Sequence, residues 1–303
     1  MAPPFYMRLP KIKRDNQRAM KLINWMHRHE KVRLAALLSG PIAWLVIAYL
    51  GAISALLITS FFTINTFTGD VVQKFNLGNF QELISDPAYR NVALRTLFIA
   101  TAVTLNCVIL AVPMAFYISK ISTPRAKKVL VALILTPLWA SYLVKIYSWR
   151  TMFEPGSGVI NWLLGPIGIH SPGFGLLSII VGLTYLWLPY MILPIYSGLD
   201  RLPNTLIEAS SDLGAKNFAT FKRVILPLIF PSIIAGSMFT FSLSLGDYIT
   251  AQIIGGKVQM LGNVVYQNFS LNLPFAATIS AVPIALMGGY LWLIRKTGAL
   301  SSL

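Results

Sequence analysis

The residues best suited to chemistry are a carboxylate and a set of aromatic rings. Asp247 lies near the outer end of a long apolar run and shares a stripe with Ser232, Gly236, Thr240 and Ser244, at about 100° per residue of a helix. Tyr248 follows it directly. A carboxylate in or near hydrocarbon is costly, so it faces a cavity or a cation. Trp139, Tyr142, Tyr147 and Trp149 fall in one apolar stretch, and Tyr185, Trp187 and Tyr190 in another. A cationic solute held between a carboxylate and such rings gains about 0.5–2 kcal/mol per ring. Two readings stand for Asp247: a ligand for a cationic solute, or half of an ion pair with Lys145 or another basic group. The rings likewise suit either solute contact or anchoring at membrane ends.

No catalytic set accompanies these residues. With one Cys and three His, neither a thiol nor a metal centre is expected. Gly255-Gly256-Lys257 lacks both the earlier glycine and the following hydroxyl of a phosphate-binding loop. The chain is therefore expected to bind no cofactor and to carry no ATPase site of its own.

A polar island interrupts the apolar sequence at 200–227. Pro203 and Asn204 suit a helix start, with Asn204 as the N-cap. Leu206, Ile207 and Leu213 give that helix an apolar side, and Gly214 supplies the turn out of it. Phe218, Phe221 and Val224 repeat the pattern on a second short helix, with Lys216, Lys222 and Arg223 on its wet side. Leu226 and Pro227 close the unit. Two short helices with a glycine corner form a knob suited to a groove on a soluble partner.

The elements that must position these residues are membrane spans. Hydrophobic residues make up 55% of the chain and charged residues 12%, with mean hydropathy +0.66. A soluble domain carries about a quarter charged residues. Six apolar blocks, 34–62, 92–118, 129–150, 174–198, 230–254 and 274–294, each approach the roughly 20 helical residues that cross a bilayer. In lipid each must satisfy its backbone internally, which predicts an all-α membrane protein of six transmembrane helices. Pro137, Pro189 and Pro194 interrupt the third and fourth. Most of the 25 Lys and Arg cluster before the first block, between the second and third, between the fourth and fifth, and after the sixth. That bias predicts both termini in the cytoplasm. It also accounts for the +15 net charge without nucleic acid. The organisation read from this is a basic arm at 1–33, a membrane domain at 34–297 and a short tail at 298–303. Within the arm, Arg14, Arg18 and Lys21 oppose Ala19, Leu22, Ile23 and Met26, which suits a helix lying on anionic lipid; a disordered basic tail fits equally.

The island carries a resemblance. Glu208-Ala209-Ser210-Ser211-Asp212-Leu213-Gly214-Ala215 and Leu226-Pro227 resemble the cytoplasmic coupling motif of permease subunits in ATP-binding-cassette importers, with Gly214 six residues and Pro227 nineteen residues after Glu208. Ser210 stands where that motif has a second alanine. Three further stretches, 138–145, 187–194 and 239–248, are similar to permeases of spermidine/putrescine-type importers. The resemblance implies a type I ABC importer permease fold in a bacterial inner membrane. It implies an ATPase subunit pair, which binds ATP and Mg, docked at Glu208, Ala209, Ser210, Asp212, Gly214, Ala215, Phe218 and Pro227. It implies a second permease chain and a periplasmic or lipid-anchored binding protein that delivers a polyamine. The same branch holds importers for amino acid derivatives, opines and metal chelates. A self-sufficient ion-coupled carrier is the alternative from another class.

Overall fold

The structure, a computed structural model, describes residues 30–65 and 67–296; the expected interfacial helix of the basic arm and the tail at 298–303 lie outside the described residues. Two compact units divide after Ile58. The first carries α1 (Glu30–Leu45), a π-helical stretch Val46–Gly51, and α2 (Ala52–Thr59). Its Leu37–Thr59 run has the length and apolarity of a span.

The second unit opens with a two-residue antiparallel pair, β1 (Thr63–Ile64) and β2 (Val71–Val72), in which Thr63 faces Val72. Then come α3 (Gly78–Ser85) and α4 (Pro87–Phe116), which a π-helical stretch extends to Ile121. Asp86 caps α4 through the Ala88 amide at 2.7 Å, and Pro87 fills the first turn, where no amide is needed. α5 (Pro124–Trp139) and α6 (Tyr142–Phe153) follow, then the short α7 (Val159–Leu164) and α8 (Leu176–Arg201). α9 (Asn204–Asp212) and α10 (Asn217–Thr220) lead through the π-helical Phe221–Ile225 into α11 (Leu226–Leu245). α12 (Ile249–Ile254), α13 (Leu261–Phe269) and α14 (Leu273–Lys296) complete the described chain.

Among the described residues, five helices are long and apolar enough to cross a membrane, and six if the bent α5–α6 pair counts as one. The third apolar block is the main correction. It is not one helix but two, bent by 95°. Pro137 withholds one backbone amide from α5, and Ala140 and Ser141 then take extended backbone angles. The fourth block survives its prolines as a continuous α8. The fifth block is shifted. Its helix runs from Asn217 to Leu245 and stops at Gly246, rather than spanning 230–254.

The core lies where α4, α8 and α11 meet. Ile99, Val103, Cys107, Ala111 and Ala115, spaced by four along α4, are all fully buried against Leu183, Leu186, Ile195 and Leu199 of α8 and Ile229 of α11. The small members of that stripe let the helices approach, which is how spans associate where lipid gives no hydrophobic drive. Leu94, Phe98, Leu105, Ile109, Leu133 and Leu293 stay exposed, as surfaces that face hydrocarbon should. A second cluster, Leu261, Val264, Phe275 and Ile279 with Leu83 and Tyr89, binds α3 to α13 and α14. The segment before α4 thus contributes to a small core.

Candidate functional site

The polar island folds as two short helices around a glycine corner. Pro203 rather than Asn204 occupies the N-cap, and Asn204 is the first helical residue. The corner is a Schellman motif. The Ala215 amide donates to the Ser210 carbonyl at 3.1 Å, the Gly214 amide donates to Ser211 at 2.8 Å, and Gly214 sits at φ +79°. That angle explains the glycine, because other L-residues pay for left-handed backbone. Ser210, the departure from alanine, is buried and shares a 2.9 Å hydrogen bond with the Thr220 hydroxyl, tying α9 to α10.

The unit shows one face to its surroundings. Glu208, Ala209 and Asp212 are exposed, Ala215 is half-buried, and Leu213 and Phe218 are 88% and 75% exposed. Ile207 and Phe221 turn inward, and Phe221 meets the Phe116 ring edge-on at 6.1 Å. Pro227 does not separate a short helix from a span, as the sequence suggests. It lies within a continuous helical run, two residues past the π-helical stretch.

The carboxylate and the rings meet at two helix breaks. Asp247 lies just beyond the end of α11, not on its stripe, in the short link to α12. It is 8% exposed. The Tyr142 hydroxyl, on the first residue of α6, donates to Oδ2, and the Thr250 amide donates to Oδ1 at 2.9 Å. Thr250 Oγ1 and the Tyr142 hydroxyl lie 2.7 Å apart. The alternative of an ion pair to Lys145 is not realised: among the described residues the one salt bridge joins Lys127 to Asp200. From Tyr142 the rings run on. Its ring stacks on Trp187 at 6.1 Å, and Trp187 meets Tyr190 at 5.9 Å. The buried Trp187 Nε1 has no acceptor among the described residues. Tyr185 pairs instead with Trp149 at 5.4 Å, and Tyr248 stacks on Tyr266 at 5.1 Å. Trp139 is 90% exposed at the end of α5 and pairs with none of these rings among the described residues.

The small-residue stripe packs rather than opens. Thr240 and Ser244 are fully buried, and their hydroxyls bond back to the Ser237 and Thr240 carbonyls at 3.3 and 2.7 Å. A Cβ on Gly236 would stand 2.7 Å from Met191 Sδ and 3.1 Å from Met191 Cα.

Several residues that fix these sites escape local sequence reading. Asn263 donates to the Tyr248 carbonyl at 2.9 Å, and Thr96 accepts the Leu261 amide at 2.9 Å, so the segment after Asp247 is held on both sides. Arg150 donates to Ile253 at 3.2 Å, joining α6 to α12. Thr250 alone had a local signal, standing three residues after an acid that accepts its amide.

The chain matches the family described as binding-protein-dependent transport system inner membrane component over residues 98–294. It is 40% identical over 287 residues to the inner membrane ABC transporter permease protein YdcU of Escherichia coli (strain K12), covering 89% of this chain and 91% of that protein. It is 36% identical over 270 residues to the spermidine/putrescine transport system permease protein PotB of Haemophilus influenzae, covering 86% and 90%. In fold it is similar to a chain of a bacterial alginate ABC transporter in complex with alginate pentasaccharide-bound periplasmic protein. The TM-score is 0.68 at 16% identity, over 87% of this chain and 94% of that one.

Proposed function

This chain belongs to the family of binding-protein-dependent transport system inner membrane components, and we propose that within it the chain forms half of the path for a polyamine. It is a multi-pass inner-membrane permease of an ABC importer, a transport subunit rather than an enzyme. The observation that carries the polyamine reading is the buried Asp247, bonded by Tyr142 at the head of the Tyr142–Trp187–Tyr190 ring series. A carboxylate backed by π faces suits an ammonium group and repels an anion. The spermidine/putrescine relative supports the same class of solute.

In this reading residues 34–297 form one domain of type I importer architecture, with the bent α5–α6 pair as its third crossing and both termini in the cytoplasm. The segment 200–227 docks on a pair of ATPase subunits that bind ATP and Mg, Glu208 supplying a charged contact and Leu213 and Phe218 apolar ones. A related second permease completes the path, and a binding protein loads it from outside. Thr240, Ser244, Tyr248, Trp139 and Tyr185 join the path only when the helices move, since this conformation buries the first two and points the rings elsewhere. ATP-driven motion of the docked segment would expose the path alternately to each side.

A second reading, the same machine for an amino acid derivative, an opine or a metal chelate, is favoured by one observation: the name of the 40%-identical relative states no solute. Uptake of labelled spermidine into vesicles holding the assembled transporter separates the two. Competition by putrescine, and none by an opine or a chelate, is the expected result. Displacement by those solutes with none by putrescine would overturn the polyamine assignment.

A further inference from the structure

Two lysines join the α4–α5 corner to the joint from which the coupling segment hangs. Lys120, half-buried in the last turn before that corner, donates to the Leu202 carbonyl at 2.6 Å and to Asn204 Oδ1 at 3.0 Å. Leu202 caps α8 and Asn204 begins α9, so one ammonium holds the end of one helix and the start of the next. The position is electrostatically apt, because the last carbonyls of a helix carry partial negative charge. Seven residues on, Lys127 of α5 pairs with Asp200 in the last turn of α8 and lies over the Tyr196 ring, 5.4 Å from its centroid. The partners of Lys120 lie 82 and 84 residues away in sequence.

This arrangement has a mechanical consequence. The backbone alone would carry a displacement of α9 into α8 on one side and, through α10, into α11 on the other. Beside the Phe221–Phe116 ring contact with α4, the Lys120 contacts add a polar route into α4 and α5, and α5 leads to the bend that places Tyr142 on Asp247. We propose that Lys120 is a positioning residue of energy coupling, one that makes α4 and α5 move with the α8–α9 joint. The proposal rests on the reading of 200–227 as the ATPase-coupled segment.

The test is the amount of solute imported per ATP hydrolysed, measured in proteoliposomes of the whole transporter. Lys120→Met is expected to assemble and hydrolyse ATP while import per ATP falls about fivefold or more, the usual lower size of a coupling between sites. Lys120→Arg keeps a cation with several donors and should retain most of the coupling. Asn204→Ala, which removes one acceptor and leaves Lys120 in place, should give an intermediate loss. Wild-type import per ATP in Lys120→Met would overturn the proposal, as would losses that only follow the amount of folded protein. Glu208→Ala run in parallel separates the two layers. If it uncouples and Lys120→Met does not, the lysine route is wrong and the coupling segment stands. If Glu208→Ala also leaves import per ATP unchanged, the coupling reading itself fails.

Discussion

The Tyr142 hydroxyl donates a hydrogen bond to Asp247 across 105 residues of chain, and both residues sit at helix interruptions: Tyr142 just past the 95° bend, Asp247 just past the end of α11. A buried carboxylate held this way depends on its few donors. Those donors are the Tyr142 hydroxyl and the Thr250 amide, and the Thr250 hydroxyl bonds that of Tyr142.

Removing one of those donors should therefore be felt in both stability and transport. Tyr142→Phe leaves Asp247 under-satisfied and is expected to cost about 1–3 kcal/mol, read as a lower midpoint in thermal unfolding of the purified transporter. Asp247→Asn keeps the shape and removes the charge. Polyamine uptake should fall at least about tenfold, equivalent to about 1.4 kcal/mol, with protein level little changed. Parallel losses of uptake and protein level would instead assign Asp247 a purely structural role.

The glycine corner should tolerate side chains according to their ease in left-handed backbone. A Cβ at Gly214 meets nothing within 4 Å, so conformation alone decides. Gly214→Asn is expected to retain more uptake than Gly214→Ala, and Gly214→Val least, with the alanine cost about 1 kcal/mol. Equal activity across the series would remove any need for the positive φ.

The close approach of α8 and α11 makes a cleaner test of packing. A Cβ at Gly198 would stand 2.2 Å from Ser232 Oγ and 2.9 Å from Ser232 Cβ. Gly198→Ala is expected to destabilise by about 1–3 kcal/mol through overpacking. Ser232→Gly in the same chain should restore most of that loss, because the two sites share the contact. Additive losses in thermal unfolding would contradict the contact.

Where the sequence succeeded, the signal was local. The Gly214 turn, the Ser/Ala-rich helix before it and the long apolar runs of α4 and α8 each follow from neighbours in the chain. Where it failed, the controlling feature was a break. The block at 129–150 reads as one span by hydropathy, and only Pro137 and Ser141 hint that it bends. Asp247 fits a helical stripe by angle, yet Gly246 ends the helix before it. The Lys120 contacts carry no local signal at all, since a lysine beside a span reads first as a topology marker.

The Ser210–Thr220 pair offers a further check on the coupling unit. Ser210→Ala strands a buried hydroxyl and should cost about 1 kcal/mol. The double change Ser210→Ala with Thr220→Val removes both partners and should be milder than the sum of the single changes. Protease nicking of the 204–220 segment would report the difference.

As proposed, the exposed Leu213 and Phe218 grip an ATPase. Cys107, the chain's single cysteine, is buried, so replacing it with Ala leaves a clean background for new thiols. Cysteines placed at Leu213 and Phe218 should cross-link to the co-purifying ATPase through a short bifunctional reagent, with yields that change when ATP is added. Absence of any such cross-link, together with labelling of both positions by an impermeant thiol reagent from outside intact cells, would contradict the account.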